Sequence, residues 1–492
     1  MSIETEIKLT LDPEFCSRVP RLEPVIRFAR GAPRVQALTS IYYDTVDLEL
    51  LAHRVAFRIR MDGDQIIQTV KGRRAKAGLL HARVEYEWEL SHPHPDVQRV
   101  PREAPFDILH ERGIDVLREI FRTEFQRTAW LLEPEPGVLI ECALDVGQVT
   151  AGERMTPLSE VELELKAGEP RHVLALAKVF ADVLPMRLEQ VSKAQRGYAL
   201  VSPPPLPGSV RAHRFKLSPT ATTQEAFQGI LDEAFQQIIA NDQAVRWNDD
   251  PEGVHQMRIG FRRYLAILQA FRSFLQKKDR RMLRKQIKPF LALLSAARDW
   301  DILSAGAQGA SPSLVDSLAQ EQKLRRSALR KAMDEPAYTR MMLALACWMA
   351  TMETPAEASG CQPLAAVASS VLVRGHRQIR KRGRQVKKRS LQACHRLRLA
   401  CKQQRYTLDY FQTLYPGDKV VPYLQALRDL QDLLGALNDT VSLLDRHAAV
   451  IKGMDDKAGQ KALFKQVSQH QTKLLEQFPV AWTAFNRQPT GW

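Results

Sequence analysis

Ionic side chains alternate along several short stretches in the N-terminal part of this chain. Glu4, Glu6 and Lys8 are spaced two residues apart, so in an extended strand all three side chains lie on one face. Two carboxylates on one strand, with an ammonium group one step further, could hold a divalent cation beside an anionic substrate. A solvated edge strand gives the same alternation, so this stretch alone does not distinguish a site from a surface.

The alternation recurs, and its polar positions are almost all ionic. The acidic stretches contain Glu85, Glu87 and Glu89, and then Glu160, Glu162 and Glu164. The basic stretches contain Arg58, Arg60 and Lys71. An ordinary solvated sheet face usually mixes in Thr, Ser, Gln and Asn, so acidic strands beside basic strands predict a closed barrel with a charged interior that binds a polyanion. The basic segment Gly72–Ala82 is expected to be a loop between two of these strands.

These motifs resemble the CYTH domain, also called the triphosphate tunnel metalloenzyme family. The resemblance covers residues 1–200 and implies an antiparallel eight-stranded β tunnel barrel that binds triphosphate compounds with a divalent metal ion. Members of the family hydrolyse inorganic triphosphate or thiamine triphosphate, process RNA 5′ ends or cyclise ATP. The residues that carry the resemblance are Glu4, Glu6, Lys8, Arg58, Arg60, Lys71, Asp145, Glu160 and Glu162.

The resemblance also implies roles for individual side chains. One or two Mg²⁺ or Mn²⁺ ions would be held by the carboxylates of Glu4, Glu6, Asp145, Glu160, Glu162 and Glu164. Phosphate oxygens would be bound by the cations Lys8, Arg58, Arg60, Lys71, Arg127 and Lys193, with the arginines bidentate. The catalytic set is expected to be Glu4, Glu6, Lys8, Glu85 and Glu87. The general base is left open among Glu85, Glu87 and the row that begins at Glu160.

The two parts of the chain differ in charge. Residues 1–200 contain 27 Lys and Arg against 31 Asp and Glu, whereas the 492-residue chain has 71 against 56. Residues 201–492 therefore carry 44 against 25, a net charge of +19, which predicts a polyanionic partner for that half. Residues 201–214, which are rich in proline, are expected to form a linker, and residues 215–492 an all-α domain.

The helical half contains an internal repeat at an offset of 140 residues. The motif His255, Arg258 and Arg262 corresponds to His395, Arg398 and Lys402, and Phe271 corresponds to Phe411. This repeat predicts a duplicated helical bundle, with copies at about 215–350 and 364–490. Positions i, i+3 and i+7 share a helix face, so each copy presents a basic stripe, and the second stripe extends to Arg405. Either stripe alone could equally be a solvated face.

The repeated motifs resemble the CHAD domain, which is associated with polyphosphate binding, over about residues 215–490. A further basic segment, residues 374–389, has nine Lys and Arg in sixteen positions and no aromatic residue. Single-strand nucleic-acid binders use aromatic stacking platforms, so the segment favours a sequence-blind phosphate clamp over a nucleic-acid site. The residues expected to bind polyphosphate are His255, Arg258, Arg262, His376, Arg380, His395, Arg398, Lys402 and Arg405.

The whole chain resembles the bacterial two-domain CYTH–CHAD inorganic triphosphatases. We therefore expect metal-dependent hydrolysis of inorganic triphosphate to pyrophosphate and phosphate in the N-terminal tunnel, with polyphosphate binding by the helical domain. The alternatives are an adenylyl cyclase, a nucleoside or thiamine triphosphatase, and a non-catalytic polyphosphate-binding scaffold. Six scattered cysteines, no apolar leader and no apolar run of about 20 residues predict a cytoplasmic protein without a membrane partner, with polyphosphate granules as a further expected location.

Overall fold

The alternating stretches of the N-terminal half form one antiparallel sheet in the computed structural model of this chain. The structure describes residues 2–77, 79–203, 205–212, 217–218, 220–306, 311–352, 364–386, 391–437, 447–448, 450–451, 453 and 456–492. For residues 2–4, 73–77, 81–83, 391, 463 and 466 it describes only the backbone. The strands in these ranges are β1 (Ser2–Thr10), β2 (Arg34–Asp44), β3 (Ala56–Asp62), β4 (Gln65–Ala77), β5 (Leu80–Leu90), β6 (Arg118–Leu132), β7 (Leu139–Ala151), β8 (Arg154–Ala167) and β9 (Arg187–Glu189).

The strand order is β5-β4-β3-β2-β6-β7-β8-β1-β9, and β1 makes an additional pairing with β5. One edge of β1 pairs with β8; its other edge pairs with β5 at residues 2–6 and with β9 at residues 8–10. The described residues thus form nine strands, not the eight expected. The additional strand, β9, has three residues, too few for a period-two pattern to be visible in the sequence.

The segment Gly72–Ala82, expected to be a loop, belongs mostly to strands. β4 continues to Ala77 and β5 already begins at Leu80, and the backbones of the two pair with each other across this region. The backbone of β5 also pairs with β1 through residues 81–85. The loop prediction was wrong because neighbouring strands satisfy backbone hydrogen-bonding groups whatever the polarity of the side chains.

Both faces of the central strands are buried, the apolar face and the ionic face alike. On β1 and β8, the apolar residues Ile7 and Val161 are buried, and so are the ionic residues Glu6 and Glu162 that alternate with them. The apolar face packs against the helix Pro170–Val183, whose residue Phe180 is fully buried. A sheet buried on both faces requires its ionic residues to face an enclosed polar space.

Short helices complete the N-terminal sequence: α1 (Glu23–Phe28), α2 (Glu49–Ala52), α3 (Asp107–Arg112), α4 (Pro170–Val183) and α5 (Lys193–Val201), with 3₁₀ turns at Pro13–Arg21 and Val97–Arg99. The remaining described helices are α6 (Thr223–Ala240), α7 (Asp242–Trp247), α8 (Pro251–Ala270), α9 (Lys277–Gly306), α10 (Pro312–Asp334), α11 (Pro336–Thr351), α12 (Leu364–Gln385), α13 (Leu391–Phe411), α14 (Gly417–Leu437) and α15 (Lys457–Asn486), with a 3₁₀ turn at Gln412–Leu414. No described helix is long and apolar enough to cross a bilayer.

The chain divides into two units, and the division is not simply N-terminal against C-terminal. The first unit contains Met1–Leu206 together with Met333–Met352; the second contains Pro207–Ala332 and Glu353–Trp492. The helix α11 therefore belongs to the unit of the sheet, where it packs against α4 and β9. Thr339 Oγ1 accepts a hydrogen bond of 3.1 Å from the backbone N–H of Leu188. We call these the N-terminal unit and the helical unit.

The offset of 140 residues also relates the helices of the helical unit. The starts of α6, α8 and α9 recur, to within a residue, at those of α12, α13 and α14. The equivalent helices α8 and α13 pack against each other, and the equivalent residues Phe271 and Phe411 are in contact, with ring centroids 5.9 Å apart. Equivalent residues of the two copies therefore meet at a common interface.

Candidate active site

Residues from all of the strands β1 to β8, and from α5, line one cavity of about 620 Å³ in the N-terminal unit, which we call the polar cavity. Asp145 and Glu160 are completely buried next to its lining, and the side chain of Glu4 lies outside the described residues. The residues predicted from the sequence that line it are Glu6, Lys8, Arg58, Arg60, Lys71, Glu85, Glu87, Arg127, Glu162, Glu164 and Lys193.

Three of the predicted metal ligands form an acidic cluster on β7 and β8. Asp145 is directly opposite Glu160 in the strand pairing, and Glu162 follows two residues later on the same face. One carboxylate oxygen from each residue lies within 4.8 Å of the others. A set of carboxylate oxygens this close together suits a hard divalent cation such as Mg²⁺ or Mn²⁺.

Lys193 neutralises the acidic cluster. Its Nζ lies 2.7 Å from Asp145 Oδ2, 2.6 Å from Glu160 Oε1 and 2.9 Å from Glu162 Oε1. Burial opposes the charged form of Glu162, but the charges of Lys193 and Lys8 outweigh it and hold the pKa of Glu162 well below its usual range. Burial likewise opposes the charge of Lys193, but the carboxylates around it raise its pKa. Glu162 and Lys193 are therefore both charged.

A second group of contacts joins β1 to this cluster. Lys8 is directly opposite Glu162, donates a hydrogen bond to its carboxylate and lies 3.0 Å from Glu6 Oε1. Glu6 is directly opposite Glu164, whose Oε2 lies 2.7 Å from Lys166 Nζ. The predicted carboxylates of β1 and β8 are therefore adjacent, and cations are interleaved with them.

Three of the predicted phosphate ligands, Arg58, Arg60 and Lys71, are on β3 and β4, beside the carboxylates of β5. Lys71 Nζ lies 2.9 Å from Glu85 Oε2, and Arg58 Nη2 lies 3.8 Å from Glu85 Oε1 and 3.9 Å from Glu87 Oε1. Thr69 Oγ1 donates to Glu87 Oε1 at 3.0 Å. Burial raises the pKa of Glu87, but the charges of Arg58 and Arg60 lower it overall, so Glu87 is ionised at neutral pH.

Arg60 differs from the other cations of the polar cavity. In the part of the chain that the structure describes, it forms no ion pair, and its buried Nε has no hydrogen-bond partner. Burial and the neighbouring charges of Arg58 and Arg127 lower the pKa of Arg60 to about 10. Glu87 attracts Arg60 without forming an ion pair with it. A half-buried guanidinium that is outside any ion pair is costly, and a bound anion would relieve that cost.

The side chains on the cavity face leave little room for stacking an organic ring. Tyr42 and Phe125 line the cavity, and Tyr42 is already stacked on Phe121 with centroids 4.5 Å apart. Lys193 Nζ lies 5.1 Å from the Phe125 ring centroid, over its face. Tyr86 and Trp88 also line the cavity, but they are stacked on each other with ring centroids 5.9 Å apart, and both pack against the apolar core.

Sequence reasoning missed Arg196, a residue that orients the acidic cluster. Arg196 Nη2 donates to Glu160 Oε2 at 2.7 Å and to Glu189 Oε2 at 2.8 Å. Arg196 lies one helical turn after Lys193 on α5, and Ser192 caps that helix by accepting a hydrogen bond from Gln195 N at 3.2 Å. The helical i, i+3 spacing of the two cations was the available signal.

In the helical unit, the basic stripes of α8 and α13 lie close together. Burial and the charges of Arg262 and Arg398 lower the pKa of Arg258 to about 9, so equivalent residues of the two copies repel each other. Arg258 Nε donates to Ser295 Oγ at 3.3 Å. Burial and several nearby cations, among them Lys402, lower the pKa of His255 to about 4. We call these residues the basic cluster: His255, Arg258, Arg262, Arg398 and Lys402.

Comparison with known proteins agrees with this architecture. Residues 2–198 match the CYTH domain, and residues 229–448 match the CHAD domain. The chain carries a CYTH domain followed by a CHAD domain. The family resemblances expected from the sequence motifs are thereby confirmed.

An inorganic triphosphatase of Haemophilus influenzae is 31% identical over 200 residues, which are 40% of this chain and 55% of that protein. The match therefore spans little more than half of this relative. Among solved structures, the CHAD domain of the plant Ricinus communis is 28% identical, with a TM-score of 0.48. That match covers 58% of this chain and 99% of the Ricinus chain. A Hippeastrum protein with a dominant triphosphatase activity is 18% identical, with a TM-score of 0.29. The match covers 40% of this chain and 96% of the Hippeastrum chain.

The remaining predicted polyphosphate ligands of the CHAD domain have varied surroundings. His376 is packed between aromatic rings: its Nδ1 lies 3.0 Å from Tyr423 OH, and its ring centroid 6.0 Å from that of Phe485. Arg380 is exposed, His395 is half-buried on α13, and the Arg405 guanidinium lies over the Tyr406 ring at 5.2 Å. Residues 387–389 of the predicted clamp lie outside the described residues.

Proposed function

We propose that the CYTH domain hydrolyses inorganic triphosphate to pyrophosphate and phosphate in the polar cavity. The observation that carries this proposal is the convergence of cations and carboxylates from eight strands on one cavity, with Arg60 in no ion pair within the described residues. The match to an inorganic triphosphatase over the same part of the chain supports the choice of substrate. The cavity accommodates a compact polyanion better than an organic base, because its aromatic side chains are already covered.

We infer that β1 to β8 close into a tunnel around this cavity. The support is the pairing of β1 with β8 on one edge and with β5 on the other, which gives every one of these strands two neighbours. A closed sheet places alternate side chains of all its strands in one interior. An enclosed interior strengthens electrostatic interactions with a polyanion, because water screens them less there.

The cations of the cavity would bind the three phosphates and hold the terminal one in line for attack. Phosphoryl transfer depends mainly on positioning and charge neutralisation. Arginines suit phosphate because their planar guanidinium donates two parallel hydrogen bonds. One side of the triphosphate would be bound by Arg58, Arg60 and Lys71. Its other side would be bound by Lys8 and Arg127, while Lys193 holds the carboxylates in place.

The acidic cluster fits a divalent metal ion, because it consists of carboxylate oxygens within 4.8 Å of one another. Asp145, Glu160 and Glu162 would hold Mg²⁺ or Mn²⁺, with Glu6 and Glu164 beside them and Glu4 earlier on β1. When bound, the ion would neutralise phosphate charge and polarise the scissile bond. The same carboxylates are paired with Lys193 and Arg127, so these cations would be displaced or shared when the site is loaded.

Glu87 is our choice for the residue that orients the attacking water. It lines the cavity, it is partly accessible, and Thr69 fixes its carboxylate at 3.0 Å. Its lowered pKa keeps it ionised at neutral pH, so it accepts a hydrogen bond from water readily but is a weak proton acceptor. The water oxygen forms a bond to the terminal phosphorus, and the bridging P–O bond breaks with its electron pair going to pyrophosphate. One hydrogen of the water stays on the released phosphate, and the other passes to an oxygen of the leaving pyrophosphate.

For the CHAD domain we propose binding of inorganic polyphosphate at the basic cluster. Arg258 and Arg398 occupy equivalent positions in the two copies, and the charge of Arg398 contributes to the lowered pKa of Arg258. Like charges brought together at the interface of two helices destabilise the fold, unless a polyanion bridges them. Binding that depends on phosphate charge releases counterions and should weaken steeply as salt concentration rises.

One assay tests the catalytic proposal. The purified full chain is given inorganic triphosphate, ATP, thiamine triphosphate or long-chain polyphosphate with Mg²⁺ or Mn²⁺, and phosphate, pyrophosphate and cyclic AMP are quantified. Equal amounts of pyrophosphate and phosphate from triphosphate, with loss of turnover in EDTA, are expected. Preferential turnover of ATP or thiamine triphosphate would show that one of these compounds, and not inorganic triphosphate, is the substrate. Formation of cyclic AMP would indicate a cyclase. Polyphosphate binding without any turnover would indicate a scaffold.

A further inference from the structure

A second cavity of about 400 Å³ adjoins the polar cavity within the N-terminal unit. It lies among α2, the following strand β3, the strand β4 and the start of α5. The two cavities share four lining residues: Ala56, Lys71, Ser192 and Ala194. We call this second cavity the vestibule. Its other lining residues are Leu51, Arg54, Val55, Gly72, Gln195 and Tyr198.

The charge of the vestibule differs from that of the polar cavity. The described residues that line the vestibule include two cations, Arg54 and Lys71, and no carboxylate. In the polar cavity, by contrast, Glu85, Glu87 and Glu162 stand among the cations. A cavity whose lining residues include cations and no carboxylate attracts anions and concentrates them locally.

Arg54 is held in place by its backbone, and its side chain is available. Its N–H donates to Leu51 O at 2.9 Å, and the next residue, Val55, donates to Leu50 O at 2.8 Å. No ion pair or side-chain hydrogen bond of Arg54 occurs within the described ranges, and the side chain is exposed. Its backbone adopts the left-handed conformation, with φ of 60°. The guanidinium can therefore bind a ligand without first breaking a contact.

The other polar groups of the vestibule are hydrogen-bond donors at the boundary with the polar cavity. Lys71 lies 2.9 Å from Glu85 Oε2, on the polar-cavity side of this boundary. Ser192 Oγ accepts from Gln195 N at 3.2 Å, which leaves its own hydrogen free to donate. Tyr198 is not available, because its hydroxyl donates to the buried Asp44 at 2.8 Å.

We propose that the vestibule binds one phosphate group beyond the three held in the polar cavity. Lys71 and Ser192 belong to both cavities, so a phosphate chain can pass from one to the other while it stays in contact with cations and donors. The occupant is either the distal phosphate of a linear chain of four or more phosphates or the orthophosphate released by hydrolysis. This inference rests on the proposed triphosphatase function and extends its substrate range.

The test uses the full chain carrying Arg54→Gln, with Arg54→Lys to retain the charge and Arg21→Gln as the control. Arg21 is exposed on a 3₁₀ turn and lines neither cavity. Binding of triphosphate and of tetraphosphate is measured by calorimetry. Turnover is measured by phosphate release, and product inhibition is measured as the loss of turnover when orthophosphate is added. The basic cluster of the CHAD domain is identical in every variant, so differences between variants report on the vestibule.

If the distal phosphate is the occupant, Arg54→Gln weakens tetraphosphate binding about tenfold, the effect of one charge-assisted hydrogen bond, and triphosphate binding less than twofold. If released orthophosphate is the occupant, the variant instead weakens inhibition by orthophosphate about tenfold. In both cases Arg54→Lys keeps most of the wild-type value. The vestibule proposal would be refuted if Arg54→Gln weakened triphosphate binding as much as tetraphosphate binding, or if none of the three measurements changed. Selective tetraphosphate binding without turnover of any substrate would refute the hydrolase and leave the vestibule standing.

Discussion

The Arg127 guanidinium donates two hydrogen bonds to the Asp145 carboxylate, from Nε to Oδ1 at 2.8 Å and from Nη2 to Oδ2 at 2.7 Å. The two residues are directly opposite on β6 and β7, and Asp145 is completely buried. Burial opposes the charge of each. The charges of Lys193 and Arg127 nevertheless lower the pKa of Asp145, and those of Asp145 and Glu162 raise the pKa of Arg127. The pair therefore contributes to stability only while both charges are present.

Asp145→Asn should lower the free energy of unfolding by about 3 kcal/mol, because it leaves the buried cations Arg127 and Lys193 with one carboxylate fewer. The value lies at the low end for a broken buried pair, since Glu162 still contacts Arg127 at 2.5 Å. Urea denaturation in metal-free buffer measures the change. Glu124→Gln, at an exposed position of β6, is the control and should stay within about 0.5 kcal/mol of wild type. Equal stability of both variants would contradict the role given to this pair.

Arg60→Gln should weaken triphosphate binding by about 10–100-fold, the effect of losing a charge-assisted hydrogen bond, without lowering the melting temperature. The folded protein does not lose an ion pair, because Arg60 has no carboxylate partner within the described residues. Steady-state KM and thermal unfolding measure the two effects, with exposed Arg122→Gln as the control. A large loss of stability with unchanged KM would show that Arg60 is a structural residue.

The lowered pKa of Arg60 also gives a pH dependence. Its value of about 10 is below the ordinary arginine value, so Arg60 is charged at neutral pH and begins to lose its proton near pH 10. Triphosphate affinity should therefore be lost as the pH rises through about 10, whereas the contribution of Arg60 to the stability of the ligand-free fold should increase over the same range. Calorimetry between pH 8 and about pH 11 checks this, and Arg60→Gln should not show this component.

Binding of polyphosphate to the basic cluster should be accompanied by proton uptake near pH 5–6. Burial and nearby cations lower the pKa of His255 to about 4, so the free protein holds this side chain neutral at that pH. A bound polyanion favours the charged imidazolium and raises its pKa, so affinity should increase as the pH falls from about 7 to about 5. Calorimetry in buffers of different ionisation enthalpy counts the protons. His255→Gln should abolish the uptake; if uptake persists in this variant, the proton goes elsewhere.

Thr339→Val should destabilise the N-terminal unit by about 1–3 kcal/mol, although it lies far along the chain from the sheet. The substitution removes the acceptor for the part-buried Leu188 N–H on β9 while it retains the side-chain volume. Differential scanning calorimetry of the full chain gives the shift in the transition of that unit. Thr351→Val is the control, because the Thr351 hydroxyl donates to the backbone carbonyl of Cys347 within the same helix. A chain truncated after residue 206 should be less stable still, because it lacks all of α11.

Much of the site followed from the sequence, because side chains in a strand alternate with a period of two. That period placed Glu6 with Lys8, Arg58 with Arg60, and Glu160 with Glu162 on shared faces, and almost purely ionic faces pointed to an enclosed polar interior. The constant offset between His255 and His395 likewise indicated a duplicated helical bundle. These are local relationships, set by backbone geometry and readable along the chain.

The tertiary structure decided which of these residues meet. Strand register, fixed by backbone hydrogen bonds between segments distant in sequence, set Arg127 opposite Asp145 and Lys8 opposite Glu162. It also left Arg60 outside any ion pair in the part of the chain that the structure describes, brought Arg196 to Glu160 and carried α11 to the sheet. Nothing in the local sequence of α11 marks it as a partner of β9. Pairing and packing between distant segments depend on the whole chain closing on itself, so no local pattern records them.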